Sequence, residues 1–170
     1  MGRPMTSDDA EVQLVVFRLG AEEYGVPITQ VQEINHLTKP TKIPKSPVFL
    51  EGVINLRGEI IPVIDLKKRF EIDDAGYADD GRIMIVEING STVGVIVDEV
   101  SEVLRLPKSS IEPPPPVIAG ITSTYLEGVG KLDDRLLILL DLNEILTERE
   151  QDELEELEEA ADVVGSTVNE

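Results

Sequence analysis

Residues 51–70, EGVINLRGEIIPVIDLKKRF, and residues 127–146, EGVGKLDDRLLILLDLNEIL, are two copies of one unit. Glu-Gly-Val opens both, a Leu follows three residues later, and Asp-Leu closes both after an apolar run. A second pair of segments repeats upstream: Gly25-Val26 through Val31-Gln32-Glu33-Ile34 against Gly94-Val95 through Val100-Ser101-Glu102-Val103. Segments that recur in the same order describe a duplicated small domain, with a cleft between two similar bodies as the expected place for a partner.

Two units of some 60 residues are each marginal alone, so they are expected to share a core. Of the 170 residues 41% are hydrophobic, with three Phe, three Tyr and no Trp. The remainder is dominated by Val, Ile and Leu, which favours strands. With no Cys, thiolate metal sites, disulfides and a cysteine nucleophile are excluded. No apolar leader precedes the first strand and no stretch is long enough to span a bilayer, so a cytoplasmic protein without membrane insertion is expected. The net charge of −19 argues against nucleic acid as partner. Residues 148–170 hold ten acids and one Arg, leaving −10 for residues 1–147.

The pattern divides into a lead (1–11), a first barrel unit (12–72), an acidic linker (73–81), a second unit (82–146) and an acidic helix and tail (148–170). Gln13–Leu19 and Glu23–Ile28 read as a hairpin, and ITQVQEI, with Ile28, Val31 and Ile34 at three-residue spacing, as a short helix or rim turn. Arg57-Gly58 and Asn89-Gly90 are hairpin turns. Pro62 implies an edge or a bulge in its strand. Asp65 is expected to cap a helical turn, and Asp141 with Glu144 to open a helix reaching about Leu157. Pro113–Pro116 reads as an ordered spacer or as a ligand for aromatic-lined domains. Short strands with glycine turns indicate two small β-barrels.

Catalytic and metal chemistry finds little support. The single His36 lacks a partner set, and Asp73, Asp74, Asp79 and Asp80 lack calcium-loop spacing. Asp65 and Asp141 hold equivalent repeat positions, as the aspartates of a two-lobed hydrolase do, but capping explains them more simply. No cofactor or metal is expected. Glu33 and Arg57 stand out, because a tight turn does not itself require Arg. If ITQVQEI packs beside that turn the two pair across it; otherwise they are unrelated surface charges.

The blocks LVVFRLGAEEYGVPITQVQEI, FLEGVINLRGEIIPVIDLKKRF, VGVIVDEVSEVLRL and YLEGVGKLDDRLLILLDLNEIL resemble, in order, those of the CheW family of chemotaxis coupling proteins. The resemblance runs from about Gln13 to Leu146. It implies a mainly β fold of two intertwined five-stranded SH3-like barrels around a shared hydrophobic core, with strands exchanged between them and a C-terminal helix. It further implies a non-enzymatic adaptor that couples chemoreceptors to the histidine kinase CheA and associates weakly with itself in receptor arrays. By motif it assigns Val31, Glu33, Gly52 and Arg57 to the receptor-facing groove, with Ile28, Ile34, Val97 and Val100 added as its apolar lining, and Glu33 with Arg57 as an ion pair. The kinase-facing surface is placed near Val129, Leu132, Asp133 and Arg135. The chain departs from many relatives at Asn35-His36 and in its longer acidic tail. A hydrolase and a proline-peptide module remain as competing classes, the latter disfavoured by the few aromatics.

Overall fold

The structure is a computed structural model that describes residues 11–72, 81–114 and 126–157. The lead before Glu11, most of the linker, the end of the polyproline run and the tail beyond Leu157 lie outside the described residues. The first half contributes β1 (Glu11–Leu19), β2 (Glu22–Pro27), β3 (Val31–His36), β4 (Leu50–Leu56), β5 (Glu59–Asp65) and the short helix α1 (Leu66–Arg69). The second contributes β6 (Arg82–Ile88), β7 (Ser91–Val97), β8 (Glu99–Pro107), β9 (Ile111–Glu112), β10 (Leu126–Leu132) and β11 (Arg135–Leu140). A final helix, α2, covers residues 148–157.

Each of the two sheets takes strands from both halves of the chain. One has the order β3-β6-β7-β5-β4 and the other β8-β1-β2-β11-β10-β9. Hairpin β1–β2 is thus built into the sheet of the second half, and hairpin β6–β7 into that of the first. Position by position the first five strands of each order correspond under the repeat, and β9 adds a two-residue strand to one side. Parallel ladders, β5 to β7 and β2 to β11, join each borrowed hairpin to its host. Neither half closes a sheet without the other, so the interdependence expected of two small units is enforced by backbone hydrogen bonds.

The exchanged hairpins explain why their strands are apolar on consecutive residues: both faces are covered. Leu14 and Val16 point into the six-stranded barrel with Leu106, Leu137 and Leu139. Val15 and Phe17 point the other way, into a shared core with Tyr24, Val26, Met84, Val86, Val93 and Val95. Ile61, Val63, Ile83, Ile85 and Ile96 fill the five-stranded barrel. Lys67 is buried within this arrangement and donates to Asp98 at 2.9 Å, while the other oxygen of Asp98 accepts the Gly20 amide at 2.7 Å. That pair fastens α1 and the β1–β2 turn to the start of β8.

Two expectations are corrected. In ITQVQEI the expected short helix or turn is confined to the 3-10 turn Ile28–Gln30, and the rest is strand β3. Its three-residue spacing is produced by a bulge: Val31 pairs with Val86 and Ile34 with Met84, while the register shifts between Val31 and Glu33. Val31 and Ile34 therefore share a face although three apart. The repeat is faithful here, since Val100 pairs with Phe17 and Val103 with Val15 across a matching shift. The second correction is at the C-terminus. Asp141 accepts the Asn143 amide and caps only the 3-10 turn Leu142–Glu144. A new helix then starts, with Thr147 Oγ1 accepting the Glu150 amide at 3.1 Å and Glu150 accepting the Thr147 amide at 2.9 Å. This reciprocal capping box favours a fresh start over continuation. Pro62 has β4 on one side, and its parallel ladder to β7 begins only at Val63, so the proline sits where β5 is locally an edge.

Candidate interaction surfaces

The bulge in β3 determines where Glu33 stands. With Val31 and Ile34 on the shared-core side, Glu33 falls opposite Ile85, which points into the five-stranded barrel. There it meets the β4–β5 turn. Arg57 and Gly58 have φ of 51° and 89°, the two positive values of a type I′ turn, and Asn89 and Gly90 repeat them at 49° and 87°. Asparagine suits that left-handed position; arginine gains nothing from it. Its side chain instead donates both terminal nitrogens to Glu33, Nη1 to Oε1 at 3.3 Å and Nη2 to Oε2. With its amide oriented to satisfy the network, Asn35 adds a donor to Glu33 Oε1 at 3.2 Å. The Arg57 hydrogen bond, ahead of its charge, holds the Glu33 carboxyl below the usual glutamate range, and Glu33 in turn raises the Arg57 guanidinium. The Arg57 side chain is 70% exposed.

Around this pair the expected groove residues divide. Ile34 is an exposed apolar side chain, at 41%. Ile28, Val31 and Val100 are partly buried against the shared core. Val97 is 0% exposed and belongs to the core itself, so its assignment to a partner surface is corrected: as the last residue of a borrowed hairpin it faces the other half. Gly52 has a structural reason to be glycine. A Cβ there would lie 2.5 Å from the Thr41 carbonyl oxygen and 2.9 Å from Pro40 Cβ, where Thr41 and Val53 exchange backbone hydrogen bonds of 2.8 and 2.9 Å. It ties the 37–49 loop to the barrel.

On the six-stranded barrel, Val129 and Leu132 are partly buried and Asp133 and Arg135 are exposed. Arg135 donates to Glu102 at 2.6 Å and lies 3.3 Å from Glu23. Leu136 and Val103 are 61% and 52% exposed, apolar surface that lies outside the family-like motif residues. Val103 is the repeat partner of Ile34, a signal that was present in the sequence. An apolar cleft of about 600 Å³ opens beside β1, lined by Val12, Leu14, Ile28, Ile111 and Leu139 together with Lys108 and Glu127. Burial, and then the charge of Asp141, push the Glu127 carboxyl up.

Asp65 and Asp141 each cap the turn that follows them in the chain. Asp65 accepts the Lys67 and Lys68 amides at 2.9 and 3.2 Å, and Asp141 is engaged in its own turn as described. Among the described residues no three His, Asp or Glu side chains are grouped to hold a metal ion. Nor is any described helix long and apolar enough to cross a membrane.

Residues 13–150 match the CheW-like domain family. The chain is 38% identical to the chemotaxis protein CheW of Klebsiella aerogenes, over 81% of this chain and 83% of that one. It is 36% identical to the chemotaxis protein CheW of Treponema pallidum, over 91% and 93% respectively. The crystal structure of the scaffolding protein TtCheW from Thermoanaerobacter tengcongensis superimposes with a TM-score of 0.73 at 50% identity, covering 79% of this chain and 91% of that one. The repeated barrels, the exchanged hairpins and the extent of these matches establish that the chain belongs to the CheW-like family.

Proposed function

We propose that this chain is a non-enzymatic adaptor of chemotaxis signalling that couples chemoreceptors to the histidine kinase CheA, and that it works at membrane-associated receptor arrays. The observation that carries the reading is the Glu33–Arg57 pair, formed by an arginine in a turn position whose backbone favours asparagine or glycine. An exposed pair of this kind adds little to stability, so its value lies in orienting a partner. The receptor signalling tip, a helical hairpin, lies along the edge formed by Glu33, Arg57 and Ile34. Val31, Ile28 and Val100 support that edge from the core, and Gly52 holds its loop in place. An amphipathic helix presents apolar anchors at i, i+3, i+4 and i+7, which matches a strip of isolated apolar side chains bordered by charge. The kinase regulatory domain takes the β10–β11 side, with Val129, Leu132, Asp133 and Arg135. Copies of the chain associate weakly with one another in the array.

A three-component capture experiment tests this. A receptor-tip fragment is expected to be retained on an immobilised CheA regulatory domain more strongly when the purified chain is present. Unchanged retention, with the chain binding neither component, overturns the adaptor reading while leaving the fold intact.

A further inference from the structure

Between Glu33 and Glu51 the sequence holds Lys39, Lys42 and Lys45 and no acid, a local charge of +3 in a chain of −19. All three lysines are exposed, and none forms an ion pair with a described residue. By contrast, Arg18, Arg57, Lys67, Lys68, Arg69, Lys131 and Arg135 each face a carboxylate. The base of the loop is held by the Thr41–Val53 bridge and by the close approach of Pro40 to Gly52, so its charges are presented on a supported backbone.

The described part of helix α2 reaches this loop at Leu157. Its position is set by Leu154, which is buried in the shared core, and by Glu150, which accepts from Arg69 at 2.7 and 2.9 Å. Glu153, Glu156 and Leu157 of the helix line one crevice of about 370 Å³ with Ile43, Pro44, Lys45, Ser46 and Pro47. Immediately beyond Leu157 the chain carries Glu158, Glu159 and Asp162, with Glu170 further on, and no Lys or Arg. We propose that the lysine loop, residues 39–47, is a docking surface for the acidic C-terminal segment 158–170 of the same chain.

Two independent features support that occupant. The charges are complementary, and the segment leaves the described structure at the crevice itself, so reach is not limiting. A short tether raises the effective concentration to the millimolar range, enough for exposed ion pairs that are individually weak. Docking is then sensitive to salt, since charges this exposed are screened over about 10 Å at 0.1 M ionic strength and about 3 Å at 1 M. The loop joins β3 to β4, so a docked segment brings negative charge next to the Glu33–Arg57 edge. The inference rests on the charge pattern and the crevice and is independent of the partner assignments above.

Because the sequence has no Cys, Ala161→Cys provides a unique attachment point for a nitroxide label. In the full chain, amide signals of residues 39–47 are expected to lose about half their intensity at low salt and to recover near 1 M salt. They are also expected to recover in the combined variant Lys39→Glu, Lys42→Glu, Lys45→Glu. Unchanged β6–β7 shifts check that this variant is folded; the complementary variant Glu158→Gln, Glu159→Gln, Asp162→Asn tests the same contact without touching the loop. Loop amides that ignore the label, or broadening that survives both variants, overturn the proposal. Mixing labelled chains with unlabelled isotope-enriched chains separates the other occupant: broadening of equal size in the mixture makes a second copy the partner and overturns the intramolecular contact.

Discussion

The two barrels carry the same edge twice and use it differently. Glu33 and Glu102 hold equivalent repeat positions, each just after a bulge, each opposite a residue of its own barrel interior, and each clamped by an arginine from the closing hairpin. In the five-stranded barrel the arginine is Arg57, in the turn itself, and it holds a single carboxylate. In the six-stranded barrel the turn is Asp133-Asp134, and the arginine has moved to Arg135 at the start of β11, where it is shared between Glu102 on β8 and Glu23 on the borrowed β2. One pair spans two neighbouring elements and leaves its cation largely exposed. The other links three strands from both halves. The same scaffold thus carries one edge whose clamp is open to solvent and one edge fastened across the exchanged hairpin.

The largest expected difference between the two halves lies in a pair of equivalent glycines. Gly52→Ala drives a Cβ to 2.5 Å from a backbone oxygen, whereas at the equivalent Gly128 the nearest atoms lie at 3.0 Å. Urea unfolding is expected to show a loss of about 3 kcal/mol for Gly52→Ala and about 1 kcal/mol for Gly128→Ala. Equal losses would mean that the latch on the 37–49 loop contributes no more than its counterpart.

A smaller effect separates the arginines. Arg135→Ala is expected to lower the unfolding midpoint modestly because three strands lose a common partner, while Arg57→Asn leaves it unchanged or slightly higher because asparagine suits a left-handed turn. A larger stability loss at Arg57 would reverse the roles assigned to the two edges.

The smallest effect is a titration. The depressed Glu33 carboxyl means that its pairing is fully present above the value of an unpaired glutamate and is lost as the pH falls through its own lower value. Carboxyl-resolved NMR on Arg57→Ala is expected to show Glu33 titrating at higher pH than in the wild type. No displacement would mean that the pair does not persist in solution.

Much of this comparison was legible in the residues. The repeat, the two hairpin turns and the Asp65 cap depend on local patterns, and they appear where those patterns place them. Exchange of the hairpins was not legible from residues 13–28 or 82–97, because choosing a host sheet depends on register between distant strands. The three-residue spacing of Val31 and Ile34 imitates a helix, since a bulge adds one residue to a two-residue alternation. Val97 looked like groove lining because an apolar strand end is the same in sequence whether it faces a partner or the other half of its own chain. The break before α2 was present in Thr147 and Glu150 and was hidden by the continuous acid and leucine pattern around it.

The central claim, that the two edges serve different partners, is tested most directly by titrating Arg57→Glu and Arg135→Glu against a receptor-tip fragment and against the CheA regulatory domain. The account predicts that folded Arg57→Glu loses on the order of tenfold or more in receptor affinity and keeps CheA, and that Arg135→Glu does the reverse. Loss of the same partner by both variants, or of neither, would contradict it.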